Sequence, residues 1–75
     1  MGDDSADLAR LERLAEEAYD AMYDARFGTS GHYSDAKEFL HDAIALATRM
    51  GDAATAERLQ ARLAHIKAVY RSQFT

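Results

Sequence analysis

YSDAKEFLHDAIALATRMGD, from Tyr33 to Asp52, carries the widest clean apolar face in the chain. Ala36, Phe39, Leu40, Ala43, Ile44, Leu46, Ala47 and Met50 fall on one side at about 100° per residue. They span roughly 160° of a helix, more than the ~100° stripe of an ordinary surface helix. An arc that wide can meet two neighbours, so this segment reads as the central element of a small helical core. Ser34 is a candidate cap, with Asp35 in the first turn where negative charge is favoured. Gly51 suits the left-handed position just past the last turn. The pattern predicts a helix over 35–50.

The flanking segments have the same 3.6-residue period. On the N-terminal side Leu8, Leu11, Ala15, Ala18, Met22 and Ala25 recur at steps of three and four, and Leu14, Tyr19 and Ala21 widen that face. A helix over 6–27 is expected, capped by Ser5 or Asp4 and ended by Gly28, with residues 1–4 frayed. On the C-terminal side Ala56, Leu59, Leu63, Ile66, Tyr70 and Phe74 form a narrow stripe, giving a helix over 53–72 with Asp52 as its cap. Proline is absent, and the strong breakers between segments are Gly28, Gly31 and Gly51. Gly28-Thr29-Ser30-Gly31 reads as the first connection and Gly51-Asp52 as the second. Links this short imply an all-α, antiparallel three-helix bundle running up, down, up, as one domain over residues 1–75. Leu40, Ala43, Ala47, Leu59, Leu63 and Ile66 lie at the centres of the two cleanest stripes and are the expected core.

With 75 residues the chain is near the lower size limit for folding alone. It has no cysteine, which excludes disulfides and thiolate metal sites. No apolar run approaches the ~18 residues of a membrane span, and the acidic start MGDDSADLAR is unlike a signal peptide. A soluble, cytoplasmic protein is expected. Seven arginines against two lysines, with abundant alanine, match the composition of bacterial proteins encoded by GC-rich genomes.

Gly31, Tyr33, Ala36, Leu40 and Ala43 carry a resemblance to the tetratricopeptide repeat. That family places a glycine, an aromatic two residues on, and then small residues along its second helix. The stretch resembles one degenerate repeat of this family, and the third helix would close it. The resemblance covers about half of the chain and implies a helical hairpin that binds a protein or peptide.

Candidate chemistry is sparse. His32, His41 and His65 fall on the connection, on the polar side of the middle helix and on the outer side of the third. Glu38-x-x-His41 matches the Glu-x-x-His unit of di-iron bundles, which needs two copies and two further inward glutamates; one copy is present and it faces out. Ser5, Ser30, Ser34 and Ser72 have cap, turn or terminal explanations, and Gly-x-Ser-x-Gly is absent. The glycine-bounded connection lacks the strand before it and the Lys-Ser or Lys-Thr after it that a phosphate loop needs. No catalytic, cofactor-binding or metal-ligating residue is assigned, and a metal-dependent helical enzyme is a distant third reading.

Charge order is more informative. Residues 1–28 hold eight acids and three arginines, and residues 51–75 hold four bases and two acids, within a net charge of −4. Glu12, Glu16, Asp20 and Asp24 stand four apart on the first helix. Like charges at that spacing cost about 0.2–0.5 kcal/mol per pair. Competing accounts follow. The stripe, with Tyr23 beside it, docks a basic and partly apolar partner. Alternatively the stripe is a solvated face, partly balanced by Arg13 and the basic third helix, or the same acids pair with Arg58 and Arg62 inside the monomer. Arg58 and Arg62 share one side and Lys67 and Arg71 another, a poor phosphate track in an acidic chain, so no nucleic-acid partner is expected. The expected function is a small non-catalytic protein-interaction or adaptor module, with Glu12, Glu16, Asp20, Tyr23 and Asp24 as its partner-binding residues. The alternative is a self-associating structural protein, a homodimer.

Overall fold

The computed structural model describes residues 3–25 and 27–74. These form three helices and no strand: α1 over Asp4–Asp24, α2 over Thr29–Arg49 and α3 over Ala53–Gln73. Each has 21 residues, a length of about 31 Å at 1.5 Å per residue. The middle helix packs against both others. Arg49 at the end of α2 reaches Asp4 at the start of α1, as antiparallel neighbours must. Glu12 and Glu16 of α1 meet Arg58 and Arg62 of α3, so those two helices run parallel. The bundle measures 40 × 22 × 12 Å over its Cα atoms, and α1 and α3 meet mainly through long side chains.

The expected core is in place. Leu40, Ala43, Ala47, Leu59, Leu63 and Ile66 are all buried, joined by Leu8, Ala15, Leu46 and Ala56. Alanine at 15, 18, 36, 43 and 47 is buried, and such small side chains let helix backbones approach closely. Among the described residues no polar or charged side chain is buried, so the bundle holds through apolar packing. No helix among them is long and apolar enough to cross a membrane.

Three boundaries differ from expectation, each for a local reason. The cap of α1 is Asp3, whose carboxylate accepts from Ser5 N and Ala6 N at 3.1 and 3.3 Å. Asp4 and Asp7 then occupy the first turn, where the helix dipole favours acids. Of residues 1–4, where fraying is expected, Asp3 is the cap and Asp4 the first helical residue, while Met1 and Gly2 lie outside the described residues. At its other end α1 stops at Asp24, not Phe27. Its last turn has no basic residue, and Asp20 and Asp24 oppose the negative end of the dipole. Ala25 turns extended there. Arg26, within the expected helix, lies outside the described residues.

The third difference is the start of α2, six residues earlier than expected. Gly28 takes the left-handed conformation, φ 75°, and its carbonyl accepts from His32 N at 3.1 Å. Ser34 is therefore inside the helix and caps nothing. Gly31 is helical too, at a propensity cost of about 1 kcal/mol. The compensation is Tyr33, whose ring lies flat on Tyr70 of α3 at 3.9 Å between centroids. The second connection matches expectation. Gly51 has φ 78°, Asp52 N donates to Ala47 O and Gly51 N to Thr48 O, the paired bonds of a Schellman ending. Asp52 then accepts from Thr55 N at 3.1 Å and caps α3. Met50, expected on the core face, follows the end of α2 and is exposed.

Candidate functional site

The acidic stripe of α1 divides in two. Its first half is tied to α3. Arg58 Nη2 donates to Glu12 Oε1 at 2.9 Å. Arg62 Nε donates to Glu16 Oε2 at 2.9 Å, and Arg62 Nη2 donates to Glu16 Oε1. The second pair is bidentate, the stronger form of such a contact. The Arg62 guanidinium also lies over the Tyr19 ring, 4.9 Å from its centroid. The hydrogen bonds it donates to Glu16 hold Arg62 more firmly protonated than usual, against the opposing effect of burial. Burial, with Tyr23 nearby, raises the Tyr19 phenol above its ordinary value. These two straps bridge a groove of about 440 Å³ with Leu40 and Leu59 among its lining residues.

The second half of the stripe is open. Asp20 and Asp24 are exposed and enter no ion pair among the described residues. Tyr23 between them is 47% exposed, and Phe27, three residues past the helix end, is 88% exposed. Tyr23 is held in place from two sides. Its ring meets Tyr19 edge-on at 5.5 Å and Phe74, just past the end of α3, edge-on at 5.6 Å. Phe74 stacks on Tyr70, and Tyr70 on Tyr33. A continuous run of five rings thus ties this end of α1 to α3 and to the first turns of α2. Rings locked in this way offer apolar contact at little conformational cost.

Of the sequence-derived site residues, Glu12 and Glu16 stand apart from Asp20, Tyr23 and Asp24. Phe74 joins the open end through Tyr23, and the exposed Phe27 follows shortly after α1; neither was assigned to the site from sequence. Phe74 was legible as a stripe residue but not as a partner of Tyr23. The imidazoles do not gather, and among the described residues no three His, Asp or Glu side chains are placed to hold a metal ion.

Compared with known proteins, the chain matches no family model, no curated protein and no solved structure.

Proposed function

We propose that this chain is a small, non-catalytic, cytoplasmic protein-interaction module that docks a basic, partly apolar peptide segment on the C-terminal end of α1. The observation that carries the reading is the division of the acidic stripe. Glu12 and Glu16 are bound by arginines of α3, whereas Asp20 and Asp24 enter no ion pair among the described residues, Asp20 acting on Arg62 only at longer range, and Tyr23 and Phe27 nearby in sequence are exposed. Two unpaired carboxylates select cations from a partner, and Tyr23 and Phe27 supply the apolar anchor that carries affinity. The tetratricopeptide-like hairpin with a closing helix, read from Gly31, Tyr33, Ala36, Leu40 and Ala43, agrees with a binding role. Self-association through the same end is the second reading, favoured by the exposure of Phe27. It would set Asp20 and Asp24 of two copies near one another, which works against it.

The test uses two fluorescent peptides of equal length and equal apolar content, one basic and one acidic. The basic peptide binds more tightly, and its affinity falls as salt rises. The double substitution Asp20→Lys with Asp24→Lys weakens it roughly tenfold, at up to about 1 kcal/mol per exposed charge pair lost, with an unchanged helical circular dichroism signal. Equal binding of both peptides, or full affinity in the variant, refutes the reading. Light scattering on the unliganded protein decides the second reading: a monomer removes it.

A further inference from the structure

A second groove, of about 330 Å³, lies between α2 and α3 and is lined by Ser34, Lys37, Glu38, His41 and Lys67. The chain has two lysines, thirty positions apart, and both stand in this groove. Neither enters an ion pair among the described residues, in a chain with 13 acids to nine bases. Glu38 lines the groove without pairing to either. Two cations against one carboxylate leave the groove net positive within a net negative protein.

The lysines are brought together by packing. Tyr33 and Tyr70 stack across α2 and α3 with planes 2° apart. Lys37 is one turn after Tyr33, and its ammonium sits over the Tyr33 ring at 4.4 Å. Lys67 is one turn before Tyr70 on α3. The ring stack that joins the helices therefore lies one turn from each lysine and brings both to the same groove. Glu38 and the Tyr33 ring offset part of this positive charge, and a bound anion would meet the rest. Lysine ammonium, the Ser34 hydroxyl and an imidazole N–H of His41 are donors suited to several oxygens of a compact anion. The lining residues are polar or charged, which disfavours an apolar ligand.

We propose that this groove binds a tetrahedral oxyanion of the phosphate monoester class between Lys37 and Lys67, with Ser34 as a further donor. The same chemistry is presented by a small phosphate ester and by a phosphorylated side chain of a partner. Glu38 weakens the site and keeps its affinity modest. This site is independent of the acidic end of α1.

The test is an amide NMR titration of the full chain at pH 8 and constant ionic strength. Methyl phosphate and a blocked phosphoserine tripeptide are the two probes, and acetate is the monoanion control. The expected result is saturable shifts at Ser34, Lys37, His41 and Lys67, stronger for the phosphates than for acetate. Lys37→Gln and Lys67→Gln each weaken binding, by up to about fivefold for one exposed charge contact. Glu38→Gln strengthens it by a comparable factor, and Lys37→Arg retains it. Tighter binding of the tripeptide assigns the source to a phosphorylated chain, and equal binding assigns it to a free ester. Unsaturable shifts spread equally over Arg10 and Arg49, or unchanged affinity in both glutamine variants, overturn the proposal.

Discussion

Removing the Glu16–Arg62 strap measures how α1 and α3 are held together. The two side chains are 46% and 35% exposed. That exposure rules out the several kcal/mol lost on breaking a fully buried pair and places the coupling near the upper end of the exposed range, about 0.5–1 kcal/mol. Arg62 also covers the Tyr19 ring, which adds about 0.5–1 kcal/mol to its own removal. Glu16→Ala should therefore cost about 0.5–1 kcal/mol and Arg62→Ala about 1–2 kcal/mol. The double variant should cost about as much as Arg62→Ala alone, because the pair is lost once. Urea titration followed by circular dichroism gives each value. In thermal melts of a domain this size each kcal/mol corresponds to about 4–8 °C. The coupling should shrink in high salt. Strictly additive costs, with a coupling below about 0.2 kcal/mol, would refute the assignment of Glu16 to an internal role.

The core and the helix ends give further tests. Leu63→Ala should cost about 2–5 kcal/mol, a large share of the roughly 4–11 kcal/mol typical for 75 residues; a parent-like melt would place Leu63 outside a packed core. Gly28→Ala and Gly31→Ala should act in opposite directions. A Cβ at either site meets nothing within 4 Å, so backbone conformation decides. At Gly28, φ +75° costs an alanine about 1–2 kcal/mol, whereas at helical Gly31 alanine gains about 0.5–1 kcal/mol; destabilisation at both would move the start of α2 downstream. Hydrogen bonds from Thr55 hold the Asp52 carboxyl below its ordinary range. A depressed folded pKa gives stability that is present above the unfolded carboxylate value, near 3.9, and lost as pH falls through the folded value. Asp52→Ala should thus melt lower than the parent at neutral pH, with the gap closing in acid; a gap independent of pH would contradict this.

The periodicity of the apolar residues carried the fold, because burial of one helix face is a local pattern that survives in sequence. The six core residues from Leu40 to Ile66 and the Gly51–Asp52 turn were legible for that reason. The start of α2 was not. Gly31 and Ser34 have local preferences for a turn and a cap, and the contact that overrides them, Tyr33 on Tyr70, joins residues 37 positions apart. The end of α1 was misjudged for a different reason. Periodicity extends to Ala25, but unfavourable charge at the helix terminus ends it first. At the candidate site the acidic stripe was visible and its division was not. Which acids find arginines depends on the register of α1 against α3, and sequence spacing within one helix does not contain that register.

The most direct measurement is an amide NMR map of the protein titrated with the basic peptide. The account predicts shifts concentrated at Asp20, Tyr23, Asp24, Phe27 and Phe74, with Glu12, Glu16, Arg58 and Arg62 nearly unmoved because they are already paired. Shifts centred instead on Leu40, Leu59 and the two arginine straps, or none at saturating peptide, would contradict it.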